Sequence, residues 1–223
     1  DVYKRQPLDL RAKLLGKWVK GITFNPEDQV SRGGGGVSWV SILPALIVTG
    51  ALLFLPGLLL GFLLRLRGMR LLALAPALSV SLVAVAALAA PFVGIRWSIL
   101  PVLILTAVAA VAAYFWSKHV GKPALLRQSS NARQLVAVIV SIVVPALLIA
   151  FVLVRSMHDP EFFSQRYDNF FHLNAVQYVL DTGNASPLWL GSMTSPAGVP
   201  FYPSGWHAMV SIIVALSLSL IHI

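Results

Sequence analysis

Polar and apolar positions do not alternate along most of this chain; they separate into long blocks. Four apolar runs reach the ~20 residues that a helix needs to cross a hydrocarbon core. They lie at about Trp39 to Leu64, Leu71 to Val93, Ile99 to Trp116 and Leu135 to Val154. A fifth begins near Trp206 (WHAMVSIIVALS). The pattern predicts an all-α fold, a polytopic bundle of transmembrane helices with an extracytoplasmic loop that carries a short amphipathic helix. Pro44 and Pro56 fall in the first run, Pro101 at the opening turn of the third, and Pro145 inside the fourth. In a bundle, neighbouring helices can satisfy the carbonyls that such prolines free. Ala73, Ala75, Ala77, Ala84, Ala86, Ala107, Ala109 and Ala110 would let helices pack closely.

Composition agrees with the blocks. The chain is 57% hydrophobic and 11% charged, with a mean hydropathy of +0.80, as polytopic membrane proteins are. The formal net charge is +9. Residues 37–217 carry ten Lys or Arg against four Asp or Glu. The positive-inside rule accounts for this excess, so no nucleic-acid partner is required. Arg65, Arg67 and Arg70 separate the first two runs, and Lys118, Lys122, Arg127 and Arg133 separate the third and fourth. Only Arg96 lies between the second and third. With the seven-residue set cytoplasmic, the segment after the fourth run is extracytoplasmic and the protein is a multi-pass protein of the cell membrane. Cys is absent, which excludes a disulfide framework and a Cys metal site.

The two ends read differently from the rest. GAT GTG TAT AAG AGA CAG encodes Asp1 to Gln6, and its reverse complement encodes Leu218 to Ile223. This inverted repeat resembles the transposon end used to prepare DNA libraries, so residues 1–6 and 218–223 are expected to be translated adapter and are set aside. Residues 7–36 are expected to be upstream sequence, with Val37 as a GTG start after the Arg32–Gly36 codons; the alternative is a basic tail joined by a Gly linker. The four runs then occupy 37–154, the loop 155–205, and the opening of the fifth helix 206–217.

The chemistry concentrates in that loop. No Asp or Glu occurs from Val37 to Val154; then Asp159, Glu161, Asp168 and Asp181 arrive together with His158 and His172. Asp168 to Leu180 has a helical rhythm, with Phe171, Ala175, Tyr178 and Val179 on one side. Gly183 is placed to stop that helix in a left-handed conformation. Asp168 and His172 are four apart and share a helix face. Asp168 also suits a first-turn acid that complements the helix dipole, and His172 suits a packed or interfacial histidine. Trp189, Phe201, Tyr202 and Trp206 suit a membrane–water interface, and His207 reads as an interfacial histidine beside them.

Tyr167-Asp168-Asn169-Phe170-Phe171-His172-Leu173, then Asp181-Thr182-Gly183 and Pro187, then Gly198-Val199-Pro200-Phe201-Tyr202-Pro203 before a new apolar run, resemble the first external loop of the GT-C glycosyltransferases. The pattern is nearest to the oligosaccharyltransferase-like type. The chain also resembles an uncharacterised family of integral membrane proteins from actinobacteria. The first resemblance covers about Ser164 to Val210. It implies transfer of a sugar from a polyprenyl-phosphate donor, drawn from the membrane lipid, to a cell-envelope acceptor at the external face. It also implies Asp168 and His172 as candidate catalytic residues and Asp168 as a ligand of Mg²⁺ or Mn²⁺. Arg166, Tyr202 and His207 are the candidate substrate-binding residues; a guanidinium suits a phosphate. In typical GT-C members the Asp-bearing loop follows the first span, whereas here four precede it. The alternative is a non-enzymatic transporter, flippase or envelope-assembly partner. A transporter would carry ionisable residues inside its spans, and these four runs have none.

Overall fold

Each apolar run folds as a helix within a few residues of its expected bounds. In the computed structural model, residues 38–120, 132–157, 167–193 and 201–217 are described. Helix α1 spans Leu43–Leu63, α2 Gly68–Ala89, α3 Ile99–His119 and α4 Ala132–Met157. Short 3₁₀ turns, Trp39–Ile42 and Ala90–Val93, extend α1 and α2. The loop supplies α5, Tyr167–Thr182, and the single turn α6, Pro187–Leu190; α7 spans Gly205–Ser217. No strand occurs among the described residues. Four helices are long and apolar enough to cross a membrane. The protein is therefore an all-α polytopic helix bundle and an integral membrane protein. The expected adapter ends and residues 7–36 lie outside the described residues.

The helix ends follow from local chemistry. Pro44 sits in the first turn of α1, where its missing N–H costs nothing. Ser98 caps α3 by accepting the Leu100 N–H at 3.2 Å. Hydroxyls inside the spans turn back onto their own helix. Thr49 Oγ1 donates to the Ala45 carbonyl at 2.7 Å, and Ser81 Oγ donates to the Ala77 carbonyl at 2.8 Å. Lipid offers such groups no partner, so the i−4 carbonyl takes the proton.

Packing between α1 and α2 depends on contact between backbones. Gly57 follows Pro56 inside α1, and its N–H donates to Ser79 Oγ of α2 at 2.8 Å. A Cβ at Gly57 would stand 1.9 Å from the Ala75 carbonyl oxygen. Ala75, Ser79 and Val83 are fully buried along this seam. Among the small residues expected at helix contacts, Ala75 and Ala86 are buried while Ala73, Ala77 and Ala107 are exposed. The residues that set the closest approach are thus Gly57, Ala75 and Ser79. Every α4 residue whose burial is described is exposed.

The two ends of the bundle differ in charge. At one end, Arg67 Nη1 donates to the Phe62 and Leu66 carbonyls at 2.7 Å each, with its guanidinium 4.0 Å over the Phe62 ring. Arg65 Nη2 donates to the Ser117 carbonyl near the end of α3, and Lys118 Nζ stands 4.5 Å over the Tyr114 ring. These cations complement the C-terminal dipoles of α1 and α3. At the other end, the start of α3 meets the loop. The Trp97 N–H donates to the Gly183 carbonyl at 2.7 Å, and Arg96 Nη2 approaches the Asp181 carbonyl at 3.4 Å. The C-terminal end of α5 therefore shares a face with the Arg96 connection, opposite the Arg65 and Lys118 end.

Candidate functional site

Helix α5 lies on this second face and packs against α7. Its apolar side is the expected one: Ala175 and Val179 are buried, and Phe171 and Tyr178 pack against the core. Val176 is also buried. The helix stops as predicted. Gly183 takes φ +67° and its N–H donates to the Val179 carbonyl at 2.9 Å. An added Cβ there would meet Arg96 Nε at 2.7 Å, so both conformation and space favour glycine. Asp181 lies inside the last turn of α5, where Gln177 Nε2 donates to its Oδ1 at 2.8 Å.

Helix α7 is anchored by Trp97. The Trp97 indole N–H lies 3.1 Å from the Ala208 carbonyl and 3.1 Å from Ser211 Oγ. Tyr202 is fixed through its backbone, with its N–H donated to the Pro187 carbonyl at 2.9 Å. These three bonds hold α7 and the residues leading into it, which pack against α5.

The result is a cluster of two imidazoles among aromatic rings. His172 Nδ1 and His207 Nε2 are 3.0 Å apart. The ring centroids are 5.2 Å apart with an interplanar angle of 32°. Trp206 packs on both rings, at 5.5 Å from His172 and 5.1 Å from His207. Phe171 and Tyr202 close the other side, 4.8 Å from each other and 6.1 and 5.7 Å from His207. His172 is half-buried, whereas His207 is only 2% exposed. The α5–α7 contact covers His207, a burial that its place beside Trp206 in the sequence does not reveal.

Burial pushes the His207 imidazole down to about 4, and the neighbouring His172 adds to the shift. The Pro203 carbonyl opposes it, although Nδ1 of His207 meets no partner in hydrogen-bond geometry. His207 stands in the first turn of α7, outside the four long helices. Its folded pKa lies below the usual 6.5. The stabilisation is therefore complete above pH 6.5 and is lost as pH falls through about 4. We expect the melting temperature of the purified protein to drop between pH 7 and pH 4.5, and a His207→Phe variant to lose part of that drop. An identical pH dependence in the variant would contradict a neutral, buried His207.

The remaining candidates separate from this cluster. Asp168 is exposed in the first turn of α5, one turn before His172, where a carboxylate complements the helix dipole. Arg166 lies outside the described residues, as do Asp159 and Glu161. Among the described residues no group of three His, Cys, Asp or Glu side chains gathers in a way that could hold a metal ion. Mg²⁺ takes six oxygen ligands, commonly one or two carboxylates with water and phosphate. Asp168 is one such carboxylate. Phe171, Trp206 and Trp97 are the structural members that sequence reading did not assign to the site. Trp206 was visible beside His207, but Trp97 lies more than one hundred residues away in sequence and has no local signature.

No curated protein and no solved structure matches the chain. A family model does match, over residues 50–222, which take in most of α1 and all of α2 to α7. The chain belongs to that family, DUF6541, a family of unknown function.

Proposed function

We propose that this protein is a GT-C-like glycosyltransferase that moves a sugar from a polyprenyl-phosphate donor to a cell-envelope acceptor at the external membrane face. The single observation that carries the reading is the placement of α5. It sets an exposed carboxylate, Asp168, one turn from the imidazole of His172, on the bundle face opposite the Arg65 and Lys118 end. By the positive-inside rule the Arg65 and Lys118 end is the cytoplasmic one, which leaves α5 external. Lipid-linked donors present their phosphate and sugar at the membrane surface, where this helix lies.

The chemistry follows from the residue types. An acceptor hydroxyl oxygen bonds to the anomeric carbon, the bond from that carbon to the phosphate oxygen breaks, and polyprenyl phosphate leaves with the electron pair. The acceptor proton passes to the Asp168–His172 pair. Positive charge builds at the anomeric centre in an oxocarbenium-like transition state, and the Asp168 carboxylate stabilises it. Tyr202 and His207 hold the site's inner wall, and Arg166 is the candidate partner of the donor phosphate. Asp168→Asn is the discriminating variant: transfer is lost while the amount of protein in the membrane is unchanged.

One observation favours a second reading, an assembly partner or flippase without its own chemistry. The exposed surface of α4 offers a full helix length for another membrane protein. On that reading Asp168 is dispensable.

A further inference from the structure

His172 and His207 share one close nitrogen contact, and a neutral pair has only two ways to place its protons there. In the first, His207 carries its proton on Nε2 and donates to His172 Nδ1. His207 Nδ1 is then a bare lone pair, buried and without a partner. It would also sit under the influence of the Pro203 carbonyl, which is an acceptor, so two lone pairs would oppose each other. In the second, His207 carries its proton on Nδ1, on the side of the Pro203 carbonyl though outside hydrogen-bond geometry, and its Nε2 accepts the Nδ1–H of His172. A carbonyl oxygen attracts a proton at Nδ1 and repels a lone pair there, which selects the second arrangement.

That choice fixes the outer nitrogen. With Nδ1–H committed to His207, the other nitrogen of His172, Nε2, keeps its lone pair, and it lies on the less buried of the two rings. The geometry points to His207 as a positioning residue that holds His172 in its Nδ1–H tautomer, so that His172 Nε2 is the atom that receives the acceptor's proton. Which nitrogen of a histidine is protonated depends on the bond made by the other, and here a second histidine provides that bond. The aromatic walls keep the pair in place: Trp206 contacts both rings, while Phe171 and Tyr202 close on His207. Few titratable groups face the pair. Asp168 precedes it on α5, Tyr202 leads into α7, α1 has none, and α2 has only Arg70 at its far end. Asp168 then serves as the charge that stabilises the transition state, and His172 as the base.

The inference rests on the transferase reading only for the proton's origin, and the tautomer can be read without substrate. The full chain, labelled with ¹⁵N-histidine and held in lipid nanodiscs at pH 7.5, reports each tautomer through its ring-nitrogen shifts. We expect His172 and His207 both to carry the proton on Nδ1. His207→Ala should release His172 to the Nε2–H form, and His207→Gln, whose amide oxygen can accept the same hydrogen bond, should restore the parent form. With an assay for sugar transfer, His207→Ala should lower kcat on the order of 10²-fold with KM held. An Nε2–H tautomer at His172 in the parent chain overturns the inference. So does an unchanged His172 tautomer in His207→Ala; should that variant not fold, the parent spectrum and His207→Gln decide. Parent tautomers as expected with no sugar transfer uphold the pair and count against the transferase reading, so the two fail separately.

Discussion

Asp168→Asn in the full chain is expected to reduce glycosyl transfer by at least ~10²-fold, the lower bound of what a positioned acid or base contributes. Asparagine has nearly the same shape and keeps an acceptor oxygen at the start of α5. What it removes is negative charge. Asp168 is exposed, so its replacement leaves no cavity and no unpaired buried group. The cost to the fold is the loss of one favourable contact with the helix dipole, about 0.3–1 kcal/mol. Expression, membrane insertion and melting temperature should therefore stay close to the parent. The informative result is separation of the two readouts, with protein present and transfer absent. A variant that transfers sugar at the parent rate removes Asp168 from the site and favours the partner reading.

Gly57→Ala is expected to produce the largest stability loss of any single methyl addition in the bundle. The new carbon would lie 1.9 Å from the Ala75 carbonyl oxygen and 2.8 Å from Ser79 Oγ. The first of these is backbone, so no rotamer change can relieve it, and α1 and α2 must separate. Separation also lengthens the bond from the Gly57 N–H to Ser79 Oγ. Overpacking of this kind costs about 1–3 kcal/mol, and the weakened hydrogen bond adds about 1 kcal/mol. Gly50→Ala is the matched control, because a Cβ at Gly50 meets nothing within 4 Å. It should be neutral or stabilising by up to ~1 kcal/mol through helix propensity. Thermal denaturation in detergent compares the two. Equal melting temperatures for both variants would contradict the close α1–α2 seam.

Much of this architecture was legible in the order of residues, for physical reasons. Lipid forces backbone hydrogen bonds to close within a segment, so apolar runs became helices with nearly the expected bounds. Gly183 ended α5 because few other residues accept its conformation. The α1–α2 contact was less legible. Alanines suggested many contact points, but lipid and helix surfaces are both apolar, so hydropathy does not say which small residue faces a neighbour. The buried state of His207 was not legible either. An imidazole beside Trp206 looks interfacial, and its cover arrives from α5, thirty-five residues earlier, and from the Trp97 anchor of α7. The His172–His207 contact is thus a product of tertiary packing, with each half visible in the sequence and the pairing hidden.

Turnover of the donor separates a transferase from a partner protein. The full-length protein in nanodiscs would be supplied with polyprenyl-phosphate sugars and an envelope fraction as acceptor, and released polyprenyl phosphate would be measured against time. Release is expected to require acceptor and to disappear in Asp168→Asn. Release that is absent with every donor, or equal in parent and variant, would contradict the transferase reading.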